Sequence, residues 1–297
     1  GRFWVIHQNR LTVFDSSGAY VKTSGREGQG PGEFVRASLG YLSETGAVHV
    51  FDSRSQRLTA LDRGGDVVFM ENVSGVVRST KSHPDSGAVV NLTPLDQAGR
   101  VVAASHLVRG ARIAEYTTPE SAALADNVWR SVAVDGAGVV YAAKQWDYVI
   151  DVWTEPGEPI GRIERPGLWE RSPVGSNRAL VPGGSPAATI PDISVVNNRW
   201  LIVVSRAKTE DWEDWVEEVG TPDGQSFLVP TAGTDKLFDT YVEVIDLESF
   251  ELVSTTRLPW LVEGVVNDSI LFGTRMDGRT PQLVLSRVSI TERDQTQ

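Results

Sequence analysis

The sequence predicts an all-β fold of repeated antiparallel sheets, and three observations carry that expectation. Long helical periodicity is nearly absent. Short runs rich in Val, Ile and aromatic residues recur instead, each broken by Gly, Asp, Asn or Ser. One such run also returns with its turn: Arg10-Leu11-Thr12-Val13-Phe14-Asp15-Ser16-Ser17-Gly18 is echoed by Arg57-Leu58-Thr59-Ala60-Leu61-Asp62-Arg63-Gly64-Gly65. Val149–Trp153, followed by Glu155-Pro156-Gly157, and Tyr241–Asp246 have the same shape. An alternating strand that enters a polar turn and leaves as another apolar pair is a β-hairpin. Gly accepts positive φ there, and Asp or Ser closes the turn.

Taken in order, the strand runs are Phe3–Gln8, Arg10–Phe14, Ala47–Asp52, Arg57–Leu61, Val139–Ala143, Val149–Trp153, Arg199–Ser205, Tyr241–Asp246 and Gln282–Val288. A further strand precedes two of the hairpins, since Ser43–Val50 parallels Val134–Tyr141. A full unit therefore holds about four strands in roughly 40–50 residues, the size of a propeller blade. The units fall at about 1–24, 35–73, 76–118, 128–165, 190–258 and 261–290, and predict a six-bladed β-propeller of four-stranded antiparallel blades. The third unit is degenerate. Long inserted segments lie at about 166–190 and 206–240, and the count rises to seven only if 166–258 hides two blades. A blade has two apolar faces and buries both only between neighbours. The first and last units read as three-stranded, so strands from the two chain ends are expected to complete one blade and close the ring.

Composition narrows the chemistry. The chain has 297 residues, 40% apolar and 23% charged, which predicts a single globular domain over 1–297 with ample core. It contains no cysteine, which excludes thiol nucleophiles, CxxC redox motifs and iron–sulfur ligation. The formal net charge of −11 argues against duplex binding, which needs a positive field. No run approaches the ~20 apolar residues of a membrane span. Of the 28 basic residues only Lys22, Lys81, Lys144, Lys208 and Lys236 are lysine, so planar, five-donor guanidinium forks dominate. A monomer is expected.

Gly25-Arg26-Glu27-Gly28-Gln29-Gly30-Pro31-Gly32-Glu33-Phe34 resembles the inter-blade signature of six-bladed NHL-repeat and TolB-like propellers. Val132–Ala143 is similar to the NHL blade core, and the hairpin from Ile150-Asp151-Val152-Trp153 through Gly157 to Ile160-Gly161-Arg162-Ile163 continues it. The resemblance covers the first, second and fourth units well. It implies a six-bladed fold and an extracellular, periplasmic or cell-envelope location. It implies little about activity, because propellers host scaffolds, receptors, lactonases and lyases alike. Gluconolactonase-like and peptidylglycine-lyase-like relatives hold a divalent cation with Glu, Asn, Asp or His from inner strands. Asn91, Asp135, Asn197, Glu263 and Asn267 fall on or near such strands here, and oxygen ligands of that kind suit calcium.

Other motifs resolve toward structure. Gly28-x-Gly30-x-Gly32 lacks the Gly-Lys-Ser/Thr of a P-loop and the strand–loop–helix context of a dinucleotide turn, so it reads as a linker with Phe34 wedged between sheets. No HExxH or GxSxG occurs around His7, His49, His83 or His106, and His7 and His49 lie in equivalent strands of two units. In 210–219, Trp212, Trp215, Val216 and Val219 share one face if the segment is helical, which predicts a short amphipathic lid with an acidic outer side.

Loops entering inner strands and loops joining middle strands open on one propeller face. Arg36, Arg78 and Arg130 sit at inner-strand entries. Arg54, Arg109, Arg112, Lys144, Arg206 and Arg275 sit in middle-strand loops, with His106, Trp146, Trp169, Arg171, Trp212 and Trp215 nearby. The sequence thus predicts a non-catalytic recognition propeller. It takes a small anionic ligand, a glycan or a protein at a channel mouth ringed by arginine and aromatic side chains. No catalytic residue and no cofactor is assigned. The alternative is a metal-dependent hydrolase or lyase at the same mouth, with calcium as its cation. Neighbouring acids such as Asp52 and Asp147 are the competing partners for the arginines.

Overall fold

The computed structural model describes residues 2–43, 45–73, 75–83, 87–93, 106–109, 115–117, 129–154, 158–165, 180–266, 269–277 and 280–290. Its contacts divide the chain into two compact units. One comprises Gly1–Tyr141 with Val152–Ile160, the other Ala142–Asp151 with Gly161–Gln297.

The first unit opens with a three-stranded sheet of β1 (Arg2–His7), β2 (Arg10–Asp15) and β3 (Tyr20–Ser24). A short parallel pair follows, β4 (Arg26–Glu27) with β5 (Glu33–Phe34). Next come two four-stranded meanders. The first is β6 (Ala37–Leu42), β7 (Val48–Asp52), β8 (Arg57–Leu61) and β9 (Val67–Asn72). The second is β10 (Val76–His83), β11 (Gly87–Thr93), β12 (His106–Arg109) and β13 (Glu115–Thr117). Another meander contains β14 (Arg130–Val134), β15 (Val140–Lys144), β16 (Val149–Thr154) and β17 (Glu158–Glu164), and the boundary between units passes through its strands. The second unit continues with β18 (Thr189–Val196) and β19 (Trp200–Lys208), then an inserted hairpin of β20 (Val216–Gly220) and β21 (Ser226–Pro230). After it come β22 (Phe238–Asp246) and β23 (Leu252–Leu258), which join β18 and β19 in one sheet. A three-stranded sheet of β24 (Leu261–Val266), β25 (Ile270–Asp277) and β26 (Thr280–Arg287) follows.

The repeated motif is a turn device. Asp15 accepts the backbone N–H groups of Ser17 and Ala19, and Asp135 accepts those of Ala137 and Val139. Asp62 accepts the N–H of Asp66. Each turn closes on a glycine at positive φ, Gly18, Gly65 or Gly138, where a Cβ would be strained. The strands between turns alternate. Leu11 in β2, and Val48 and Val50 in β7, point into an apolar layer with Phe34 and Leu61, and Val13 is fully buried. In the second unit Ile202, Val204, Val242, Val244, Val262 and Leu271 form the corresponding layer. The glycine-rich segment is the predicted linker. Phe34 is fully buried, Glu33 pairs with Arg26 and accepts the Gly30 N–H, and Arg57 donates to the Gln29, Gly30 and Glu33 carbonyls.

The first strand of a blade carries a recurrent irregularity. Its ladder slips between Ala37 and Leu39 in β6, Val77 and Ser79 in β10, Thr189 and Asp192 in β18, and Val262 and Gly264 in β24. That strand is also a sheet edge with one row of backbone groups unpaired. Side chains of the adjoining sheet supply partners. Asn9 Oδ1 accepts the Ala37 N–H, Asn91 Oδ1 the Arg130 N–H, Ser79 Oγ the Val132 N–H, Thr240 Oγ1 the Val262 N–H and Asp192 Oδ2 the Val265 N–H.

Three expectations need correction. Four sheets have the full four strands, while the first and last have three each, so the described residues make fewer complete blades than the six predicted. Residues 180–258 form one blade plus a hairpin, which removes the seven-blade alternative from that stretch. No strand pairing among the described residues joins the first sheet to the last, so the predicted closure by terminal strands is absent from them. The two end sheets are incomplete at opposite positions. β1–β3 match β7–β9 by the repeat and lack the first strand of a blade, whereas β24 has the bulge of a first strand and its sheet lacks the fourth.

Packing at the last sheet gives a direct test. A Cβ on Gly273 would lie 1.9 Å from the Leu261 carbonyl oxygen, whereas one on Gly161 meets nothing within 4 Å. Gly273→Ala is expected to cost at least about 2 kcal/mol in urea unfolding, and Gly161→Ala to stay within about 0.5 kcal/mol of the parent.

Candidate functional site

The two inserted segments meet. The chain after β19 does not form the amphipathic helix predicted for 210–219. It makes one 3₁₀ turn, Trp212–Trp215, and passes directly into β20. The reason is the downstream turn. In Thr221-Pro222-Asp223-Gly224 the Gly224 N–H bonds the Thr221 carbonyl, Gly224 sits at φ +82°, and Asp223 bonds the Thr221 hydroxyl. A Pro-Asp-Gly turn commits both flanks to a hairpin, and β20 pairs with β21 over Val216↔Pro230 to Gly220↔Ser226. Leu180, from the other insertion, then bridges Leu228 and accepts its N–H at 2.6 Å.

Between these segments lies a groove of about 520 Å³. Trp212 is 6% exposed and forms its floor. Gly183 and Gly184 line it from one insertion, Glu213, Glu218 and Leu228 from the other, and Lys208 at the end of β19 lines it too. Trp215 does not line it. Its indole donates to Asp211, and the Lys236 ammonium lies 5.4 Å from its ring centroid. That hydrogen bond holds the Asp211 carboxyl below the usual carboxylate range. Of the two predicted aromatic anchors, Trp212 is a buried floor and Trp215 a packed strut.

Two corners of the first unit gather predicted arginines. Asp52 is fully buried at the end of β7 and accepts four backbone N–H groups, from Val35 at 2.6 Å, Arg36 at 3.2 Å, Arg54 at 3.0 Å and Ser55 at 3.0 Å. Burial pushes its pKa up, but these backbone donors outweigh burial and hold it below the ordinary carboxylate value. Arg36 and Arg54 therefore meet Asp52 through their backbones, and both side chains stay exposed without an ion pair among the described residues. The expectation that Asp52 neutralises the guanidinium groups fails for this reason. At the second corner Arg78, the extra residue of the β10 bulge, stacks its guanidinium 3.8 Å from the Trp129 ring centroid. Burial lowers the Arg78 pKa. Arg130 is 2% exposed, an interior side chain rather than an open fork. The sequence gives no signal for Trp129, because its cation partner Arg78 is distant in the chain.

The remaining predicted residues separate. In the second unit Lys144 is buried and Trp146 half-buried. Glu243, 1% exposed, is ion-paired to Arg165, whose guanidinium lies 5.3 Å from the Tyr148 ring centroid. Burial, and then the Glu243 charge, push the Tyr148 hydroxyl well above the usual phenol range. Arg206 is committed to Glu263 at 2.9 Å and to the Val262 carbonyl, while Arg275 is exposed. His106 and Arg109 lie on β12. Arg112, Trp169, Arg171 and Asn267 lie outside the described residues. His7 ends β1, and His49 stacks on Tyr41 at 4.5 Å, where burial lowers its pKa.

The cation ligands expected at one place are engaged at several. Asn91 holds the Arg130 N–H, Asp135 closes a hairpin, Asn197 occupies a turn at φ +52°, and Glu263 binds Arg206. Among the described residues no three His, Asp or Glu side chains gather to hold a metal ion. No helix among them is long and apolar enough to cross a membrane.

No protein-family model matches the sequence, and no curated protein matches it. Solved structures do. A member of the DUF4221 family from Bacteroides vulgatus superposes with a TM-score of 0.59 at 10% identity, covering 94% of this chain and 86% of that one. A protein from Bacteroides fragilis assigned as exported gives 0.53 at 13% identity, covering 90% and 74%. Virginiamycin B lyase from Staphylococcus aureus gives 0.46 at 11% identity, covering 92% and 87%, too distant to carry an argument about chemistry. The sheet topology and these likenesses make the chain an all-β antiparallel propeller. They do not single out the NHL-repeat or TolB-like family.

Two outcomes follow from this geometry. Folding lowers the Asp52 pKa, so its stabilisation is present above the unfolded value of about 3.9 and is lost as pH falls through the lower folded value. Asp52→Asn is expected to cost about 1–3 kcal/mol at neutral pH, with the gap to the parent closing as acid denaturation is followed below that range. A gap independent of pH contradicts this. Trp212→Ala removes the floor of the groove. Hydrogen exchange is expected to show β20 and β21 losing protection, while β18 and β19 keep theirs.

Proposed function

We propose that this chain is a non-catalytic recognition propeller and that the groove on its fifth-blade insertion receives the ligand or partner. One observation carries the reading. Segments 48 residues apart in sequence, at Leu180 and Leu228, are pinned to each other around a ligand-sized groove floored by a tryptophan. Ordering these segments where they meet costs conformational entropy, and burial of Trp212 offsets it. The exposed Arg36 and Arg54 are a second place at which an anionic group could be met, on the other unit. A location outside the cytoplasm belongs to the same reading. It draws support from the likeness to an exported protein and from the resemblance of segment 25–34 to NHL-type linkers.

Peptide, glycan and acidic-metabolite arrays probed with the parent and with a variant in which 217–229 is replaced by two glycines test this reading. The parent is expected to retain a ligand that the variant loses, with unchanged thermal unfolding of the blades. Retention by both, chemical turnover of the retained ligand, or no retention in any class contradicts it.

A further inference from the structure

We propose that the first unit binds, at the corner built on Asp52, a small ligand carrying two or more oxyanion groups; this deepens the second place named above and is separate from the insertion groove. Position is the first argument. The N–H groups of Arg36 and Arg54 share one oxygen of Asp52, Oδ1, at 3.2 and 3.0 Å, so the two side chains start side by side. The Ser53 N–H and hydroxyl both bond the Arg36 carbonyl, which ties the loop after β7 to the entry of β6. The carboxylate between them is fully buried and filled by backbone donors. The backbone of the corner is therefore fixed. Both guanidinium groups are exposed and form no ion pair among the described residues.

A third guanidinium follows from register. Thr80 Oγ1 donates to the Gly40 carbonyl and Ser82 Oγ to the Leu42 carbonyl, so β10 runs beside β6 in the same direction at a constant offset of 40 residues. That offset sets Arg78 level with Ser38, two residues on from Arg36 and about 6–7 Å along the strand. Arg78 and Ser38 are the bulge residues of their strands. Trp129 stacks on the Arg78 guanidinium but supplies no negative charge. The Arg78 Nε is buried without an acceptor among the described residues, and no carboxylate there pairs with this side chain. The blade does not require a cation at this position. β6 has Ser38 there, and β24 has Glu263, which Arg206 neutralises. Three arginines thus stand near one level of two neighbouring strands, and the single Asp52 carboxylate offsets only part of their charge. Planar guanidinium forks match the oxygens of carboxylate and phosphate groups. A long polyanion would also meet the rest of a chain of net charge −11, whereas a small one meets the corner alone.

Isothermal titration calorimetry with pyrophosphate and with citrate, at low ionic strength, tests the proposal. At least one is expected to bind the parent at a single site, with affinity falling as salt is raised. Preference for pyrophosphate assigns phosphate esters, and preference for citrate assigns carboxylates; either supports the site. Arg36→Ala with Arg54→Ala is expected to weaken binding at least about tenfold. Thermal unfolding stays unchanged, because both residues hold Asp52 through backbone N–H groups that the substitutions leave in place. Arg78→Gln is expected to weaken binding severalfold. Arg2→Gln with Arg63→Gln removes as much charge at the far ends of β1 and β8, and is expected to change binding less than about twofold. Equal losses from the two arginine pairs would mean general charge attraction and overturn the proposal. So would loss of binding on shortening the hairpin at 217–229, which would put the anion in the groove. Failure of both anions to bind the parent overturns it too, and leaves the groove reading intact. A polyanion kept by the shortened variant but released by Arg36→Ala with Arg54→Ala belongs to this corner and does not count against the groove.

Discussion

The structure depends on satisfying the open edge of each blade's first strand. That strand has a hydrogen-bonded neighbour on one side only, and its bulge removes a further ladder contact. Buried backbone groups left unpaired cost about 1–3 kcal/mol each. The chain meets this cost with short polar side chains of the adjoining sheet, Asn9, Ser79, Asn91, Asp192 and Thr240, each accepting a specific N–H. Thr80 and Ser82 act in the opposite sense, donating to the Gly40 and Leu42 carbonyls of the neighbouring strand. Apolar packing holds the sheets together without direction. These bonds give the packing a register.

The same constraint shapes the places where function is sought. A bulge turns a side chain out of the ladder, and at β10 and β24 the residue turned out is Arg78 or Glu263. One stacks on Trp129 and the other binds Arg206, so both charged groups help to hold sheets together. The insertion between β19 and β22 escapes that demand because it leaves the blade. Its hairpin makes its own ladder, borrows Leu180 as an extra bridge, and leaves glutamates facing a groove.

Much of the fold could be read from residues. The Asp-x-x-Gly turns at 15–18, 62–65 and 135–138 announced their hairpins, and Phe34 its buried place, because each follows from local backbone chemistry. The segment 210–219 misled because i, i+3, i+4 spacing over ten residues fits a helix, while the turn at 221–224 that overrides it lies outside that window. The three-stranded character of the first and last units was readable, but not whether the two would share one sheet, because that pairing links residues far apart in sequence. The surroundings of individual arginines are harder to read. Sequence puts Arg36 at an inner-strand entry and Arg54 in a middle-strand loop of one face, but does not tell that the Asp52 carboxylate is filled by backbone N–H groups and leaves them uncommitted. The groove was invisible for a simpler reason: no local pattern tells Leu180 to bridge Leu228.

Amide hydrogen exchange in the native protein tests the central claim most directly. If side-chain acceptors hold the open edges, the N–H groups of Ala37, Arg130, Val132, Val262 and Val265 exchange as slowly as amides inside the antiparallel ladders of the same blades. Exchange of these five at the rate of solvent-exposed edge amides, with the ladder amides still protected, would contradict it.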